Sequence, residues 1–154
     1  MADKALIGAA GEHLELARLL SRGLLASPAP RGTEKVDIVM TDSEGRSNYR
    51  IQVKTTAGSA KGGWILQAKH ESQADADLIY CLVVLDSRGG STYVLPSQVV
   101  AQAIKKDHST WLSKPARDGG AHKDSNMRRL RAEMPGENKN WLEEYFEAWH
   151  LLEK

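Results

Sequence analysis

An α/β sandwich is the fold class this sequence predicts, and three observations predict it. The chain opens with apolar residues at helical spacing. Its middle carries short runs with strand-like alternation between clusters of turn formers. One run, LIYCLVVLD at 78–86, is too continuously apolar for an edge strand and reads as a central strand covered on both faces. With 154 residues the chain has the length of one domain and can bury one real core. The expectation is a single domain over 1–154 with a central mixed sheet and an N-terminal helix. Its core spans about 5–105, and 106–154 forms a loop and a C-terminal amphipathic helix.

The first helix is expected from Lys4 to Leu25, where Leu6, Ala10, Leu14, Ala17, Leu20 and Leu24 recur at spacings of three and four. The SPAPRG segment ends it, because two prolines forbid continuation. Three strands follow at 36–42, 49–56 and 64–70, separated by SEGRSN and AGSAKGG, and read as an antiparallel meander. After the central run, STYVLP gives one more strand, and Ser97 caps a helix through about Lys106. From His108 to Glu137 the chain is polar. It closes on NWLEEYFEAWHLLEK, whose Trp141, Leu142, Tyr145, Phe146 and Trp149 share one side of a helix, as core or dimer packing.

Composition bounds the function. Lys and Arg number 21 against 20 Asp and Glu, so affinity for a polyanion must come from local patches. The single cysteine, Cys81, lies inside the central run as a small buried residue, which leaves no disulfide framework and no zinc cluster and fits a reducing cytosol. No basic segment leads into an apolar run at the N-terminus, and no stretch approaches the ~18 apolar residues of a membrane span. A soluble, cytoplasmic protein without membrane association is expected.

The polar residues inside the strands carry the functional question. In IQVKTT, residues 51–56, Ile51 and Val53 share one face while Gln52 and Lys54 share the other. Asp37 interrupts VDIVM, and pairing through the SEGRSN turn brings it beside the Lys54 end of the next strand. An acid, an amide and an ammonium converge there, although a surface ion pair between Asp37 and Lys54 satisfies the same spacing. Glu12 has Leu16 and Leu19 at i+4 and i+7 and so borders the apolar stripe, whereas Glu15, with Arg18 and Arg22 at i+3 and i+7, is expected on the wet side. Gly8 and Gly11 flank Glu12 at a cost of about 1 kcal/mol each in a helix, so close approach of another group is expected there.

GAAGEHLELARLL, KVDIV and IQVKTT together resemble the PD-(D/E)XK nuclease superfamily, in the branch with a helical Glu, a lone Asp and a Q-x-K third motif. Archaeal Holliday junction resolvases, type IV restriction enzymes and some homing endonucleases share the pattern or a close variant. The resemblance covers about residues 5–105 and implies a restriction-endonuclease-like fold and a metal-dependent DNA endonuclease. It implies Glu12, Asp37, Gln52 and Lys54 as catalytic residues. Glu12, Asp37, the Gln52 side-chain oxygen and the Val53 carbonyl would hold Mg²⁺ or Mn²⁺ through hard oxygen ligands. The ion would polarise a phosphate and activate a water, with Lys54 orienting that water or offsetting phosphate charge. Gln52 stands where the family usually has an acidic residue, which leaves one- or two-metal use open and keeps a non-catalytic nucleic-acid-binding or assembly module as the alternative. Duplex or branched DNA is the implied partner, and cutting two strands implies a homodimer.

The remaining candidates concern DNA contacts. Thr55 or Thr56 is expected to hold a neighbouring phosphate, and the GSAKGG hairpin with Lys61 to brush DNA. The segment 114–131 carries six Lys and Arg against two Asp, including Lys123, Arg128, Arg129 and Arg131. It reads either as a patch tracking the phosphate backbone or as a solvated loop. His13 beside Glu12, and His122 with Asp124, are weaker candidates for the same chemistry.

Overall fold

The computed structural model describes residues 3–153. Helix α1 runs Lys4–Ser21, with Asp3 accepting from the Ala5 amide at its start. It stops before the expected Leu25 because Gly23 adopts φ +78°, and the amides of Gly23 and Leu24 return to the carbonyls of Leu20 and Leu19. A left-handed glycine closing the last turn in this way is a Schellman stop. The chain then forms a strand that the prolines had masked, β1 (Leu25–Pro28), followed by β2 (Ile38–Thr41) and β3 (Asn48–Ala57). Proline is tolerated here because β1 is an edge strand.

The expected three-stranded meander ends after two strands. β4 (Trp64–Gln67) leaves the main sheet and pairs antiparallel with β7 (Met127–Leu130), a strand inside the segment read as polar loop. β5 (Leu78–Leu85) takes the place beside β3, in parallel register with Gln52 opposite Tyr80 and Lys54 opposite Leu82. The reason lies in β5, where seven of eight residues are buried, so the strand must sit where both faces are covered. β6 (Ser91–Pro96) closes a mixed five-stranded sheet of order β1-β2-β3-β5-β6.

Each face of that sheet carries its own core. Leu19, Ile38, Ile51, Val53, Ile79 and Cys81 pack on the α1 side. Trp64, Leu66, Tyr80, Leu82, Val100 and Leu130 pack on the other, under α2 (Ser97–Ser113) and the β4–β7 pair. α2 runs beyond the expected Lys106, and Ser97 does not cap it: Pro96 holds the cap position, while the Ser97 hydroxyl donates to the Asp75 carbonyl.

The C-terminal extension is helical only as two 3₁₀ turns, Glu143–Tyr145 and Trp149–Leu151. Between them Glu147 takes φ +48°, and its amide donates to the Thr92 carbonyl beside the Tyr93–Phe146 bridge. This break lets Trp141 and Leu142 enter one core and Ala148, Trp149 and Leu152 the other, which a single straight helix could not do. Among the described residues, no helix is long and apolar enough to cross a membrane.

Candidate active site

Asp37 lies in a fork of the sheet. Its amide donates to the Ile51 carbonyl and its carbonyl accepts from Ala29, which fixes the backbone between β3 and the chain leaving β1. The paired register of β2 and β3 stops at Ile38 and Ile51, so the β3 edge beyond Ile51 has lost its neighbouring strand. The Asp37 carboxylate fills that gap: Oδ2 accepts from the Val53 amide at 2.7 Å and from Gln52 Nε2 at 2.6 Å. Within a strand a residue's N–H and C=O point to the same edge, so the Val53 carbonyl also faces the fork.

Gln52 and Lys54 project from the face opposite Ile51 and Val53, and with Asp37 they line a cleft of about 400 Å³. Its far walls are the 32–35 loop and the stretch from Ile65 to His70. Gln52 is buried and its amide nitrogen is committed to Asp37, so the carbonyl oxygen is its remaining polar atom. Burial lowers the pKa of Lys54, with Lys69 acting in the same direction and Asp37 and Glu12 opposing.

Glu12 approaches from the other side. α1 packs on the Ile51–Val53–Thr55 face, and Glu12 is not among the residues lining the cleft. Its carboxyl pKa is nevertheless raised, first by desolvation and then by Asp37, while His13 and Lys54 pull it down. The fork makes that coupling possible, because a carboxylate in the plane of the sheet can be reached from both faces. Gly11 sets the distance: a Cβ there would lie 1.9 Å from Thr55 Oγ1. The close approach expected at the glycines therefore holds for Gly11 and not for Gly8, which has nothing within 4 Å.

Glu15 corrects the sequence reading. It is fully buried, accepting from Thr92 Oγ1 at 2.6 Å and from Arg18 at 3.2 Å. Arg18 also donates to Thr92 and to the Gly90 carbonyl. The i+3 pairing with Arg18 is present, but β6 and the C-terminal segment cover it, and desolvation raises the Glu15 pKa.

The proposed DNA contacts separate by environment. The Thr55 hydroxyl is buried under Gly11 without a hydrogen-bond partner, whereas Thr56 is half-exposed. Lys61, Lys123 and Arg129 are exposed. Arg128 is only 7% exposed and is held by Glu71 and the carbonyls of Ser125 and Met127, which leaves it little surface for a phosphate. Arg131 pairs with Asp107 at 2.5 Å. Asp124 bonds His108 at 2.7 Å rather than His122, which stacks on Trp111. GSAKGG contains a 3₁₀ turn, Ala60–Gly62, and Gly63 is needed because a Cβ would meet the Leu130 carbonyl at 2.2 Å.

Three residues on the cleft wall escaped the sequence reading. Lys35, in the left-handed region at φ +69°, and Lys69 join Lys54 around the cleft, and neither makes a salt bridge among the described residues. His70 is buried behind them, its Nδ1 accepting from the Gln67 amide. Desolvation lowers its pKa, and all three lysines act in the same direction. WILQAKH reads as one strand, and only the 3₁₀ turn at Ala68–Ser72 swings Lys69 and His70 back toward the cleft.

Among the described residues no three His, Cys, Asp or Glu side chains gather into a metal-holding group. The donors at the fork are the Asp37 carboxylate, the Gln52 amide oxygen and the Val53 carbonyl, with the exposed Glu12 carboxylate on the helix side of the sheet. This set fits Mg²⁺, which is commonly held by one or two carboxylates while keeping several waters. It does not resemble the nitrogen and sulfur set of zinc.

No family model matches the sequence, and no curated protein matches it. Among solved structures the chain is similar to a bacterial homing endonuclease, I-Ssp6803I, at 19% identity and TM-score 0.54, over 98% of this chain and 91% of that one. It is also similar, at 15% identity and TM-score 0.44, to Hjc, a Holliday junction resolvase from Archaeoglobus fulgidus, over 76% of this chain and 84% of that one. The first likeness spans nearly all of both chains and shows the fold: a restriction-endonuclease-like α/β sandwich around a central mixed sheet.

Proposed function

We propose that the protein is a metal-dependent DNA endonuclease whose reaction centre is the fork between β2 and β3. The observation that carries this reading is the Asp37 carboxylate held by Gln52 and Val53 in a cleft that Lys54 also lines. The fold's likeness to a homing endonuclease supports DNA as the substrate.

Asp37, Glu12, the Gln52 oxygen and the Val53 carbonyl would hold Mg²⁺ or Mn²⁺. The bound ion would supply Lewis acidity toward a phosphodiester and lower the pKa of a coordinated water. The rest falls to the chain's own atoms. The Gln52 amide and Val53 N–H fix the Asp37 carboxylate before any ligand arrives, so its orientation need not be found during the reaction. Lys54 Nζ, partly desolvated, donates to a non-bridging phosphate oxygen and offsets the charge that grows there. Lys35 and Lys69 on the cleft walls hold the flanking backbone. Cleavage of both strands requires two such centres, hence a homodimer.

Neutral Gln52 is what favours the alternative, a DNA-binding module without catalysis. The test is incubation of the protein with branched, linear and modified DNA in Mg²⁺, Mn²⁺ or EDTA, beside Asp37→Ala. Cleavage that needs the metal and disappears in Asp37→Ala is expected. Equal nicking by the two proteins across the metal titration, with equal DNA affinity, would sink the nuclease reading.

A further inference from the structure

The β4–β7 pair is a two-stranded ribbon with one face in the core and one face open. Trp64, Leu66, Arg128 and Leu130 point inward and are buried. The outward residues form two cross-strand pairs, Ile65 opposite Arg129 and Gln67 opposite Met127. Ile65 is 55% and Met127 53% exposed, so the outer face keeps two large apolar side chains in solvent beside its polar ones. Arg129 is exposed and makes no ion pair among the described residues. The open face therefore presents a guanidinium, an amide and two apolar side chains, with no carboxylate among them.

Position decides what could lie on that face. Ile65 and Gln67 are also walls of the cleft that holds Asp37, Gln52 and Lys54. Adjacent strands lie ~4.8 Å apart, so Arg129 and Met127 stand one strand farther from the cleft than Ile65 and Gln67. A DNA backbone seated in the cleft would bring the adjoining groove over the ribbon. The major groove, about 12 Å wide, admits a two-stranded ribbon without distortion, whereas entry into the minor groove, about 6 Å wide, requires the duplex to be widened or bent. The ribbon is also fixed in advance: Arg128 ties it to Glu71 from beneath, and Gly63 seats its other end against Leu130. A preformed surface loses little entropy on binding.

Resting on the reading of the cleft as a DNA cleavage site, we infer that the outer face of the β4–β7 ribbon reads base edges in the major groove of duplex DNA. Arg129 is its principal specificity residue. The side-chain types match the groove code: arginine forks onto guanine, glutamine onto adenine, and apolar groups pack against the thymine methyl. Arg129 thereby leaves the group of phosphate-tracking cations, whose contacts carry no sequence information.

The test is selection from a randomised duplex pool in EDTA, comparing wild type with Arg129→Lys. This substitution keeps the charge and removes the planar fork. Wild type is expected to enrich a defined sequence. Arg129→Lys should lose roughly five- to hundredfold of base discrimination at one position, with the salt dependence of binding unchanged. Met127→Ser serves as the second variant and should relax a neighbouring position. A wild type that enriches no sequence, or an Arg129→Lys protein that selects the same sequence as wild type, overturns the inference. So does a Met127→Ser protein that only changes oligomeric state, which would assign the face to a second copy of the chain. Selective binding without cleavage would leave the ribbon's role standing and remove the nuclease reading. Cleavage without selectivity would do the reverse.

Discussion

Replacing Gly11 with alanine tests how the sheet and the first helix set the position of Glu12. On an open helix the change would stabilise by about 1 kcal/mol, because glycine is the poorer helix former. Here the added Cβ would lie 1.9 Å from Thr55 Oγ1 and 2.9 Å from both Thr55 Cβ and Cγ2. Carbon contacts settle near 3.5–4.0 Å, so the group must gain about 1.5 Å of room on the hydroxyl side. Rotating Thr55 only exchanges one branch for the other, and the helix must lift. Overpacking of this kind costs ~1–3 kcal/mol, and the severity of this contact places it at the upper end. The net expectation is a loss of about 2 kcal/mol, a fall in Tm of roughly 4–8 °C for a chain this size. Thr55→Ala removes the two clashing branch atoms and a hydroxyl that has no hydrogen-bond partner, so alone it should cost less than about 1 kcal/mol. Urea unfolding of wild type, both single variants and the double variant reads the coupling directly. The double variant should recover more than about 1 kcal/mol relative to additivity. Metal-dependent cleavage should fall in Gly11→Ala and return with Thr55→Ala, because Glu12 moves with the helix. A Gly11→Ala protein more stable than wild type would refute the account of why α1 sits where it does.

Other outcomes follow from the cleft and the fork beside it. Gln52→Glu exchanges a hydrogen-bond donor to Asp37 for a like charge, so it should lower Tm in EDTA yet raise the increment that Mg²⁺ gives, read by thermal unfolding across a metal titration. An equal Mg²⁺ increment in both proteins would remove position 52 from the metal site. On the proposed reading, activity needs Glu12 ionised and Lys54 protonated; since the first pKa is raised and the second lowered, the pH profile of kcat/KM should be narrowed from both sides. Lys54→Arg should carry the alkaline limb upward, and an unmoved limb would assign it to another group. The same shifts set stability without metal: it falls as pH rises through the raised Glu12 pKa, and rises with pH between the lowered and ordinary values of Lys54. Lys35→Ala with Lys69→Ala should weaken DNA binding for all sequences alike and reduce the slope of log K against log salt by about 0.9 per lost contact, and a slope equal to wild type would clear both lysines of phosphate contact.

Asp37, Gln52 and Lys54 could be brought together from the sequence because two local rules suffice: alternation fixes the face, and a short turn fixes the neighbour. Glu15 could not be placed, since what buries it is Thr92, 77 residues away, and no pattern within a helix reports a partner that distant. The strand β4 fails as a meander for a similar reason. Its alternation was visible, but its partner lies beyond α2, and the apolar demand of β5 outweighs proximity in sequence. Arg128 and Arg129 look alike in a basic stretch, yet strand parity sends one into an ion pair beneath the ribbon and the other into solvent. The C-terminal aromatics carry a helical period, but they serve two cores on opposite faces of one sheet, and that division breaks the helix.

The neutral residue at position 52 gains a physical account from the fork. With Glu12 and Asp37 ionised and Lys54 protonated, the centre carries one net negative charge. A single divalent cation would leave it one unit positive, and one bound phosphodiester would bring it to neutrality. A third carboxylate would leave the same assembly negative at the moment phosphate charge is increasing, unless a second cation entered. Around the half-buried Asp37 and Lys54 such an imbalance is screened less than at an open surface. Gln52 thus matches the centre to one divalent ion, and its amide does what a carboxylate there could not: it holds Asp37 in place by donating a hydrogen bond before the ion arrives. On the proposed reading, this makes the Q-x-K arrangement a one-metal design.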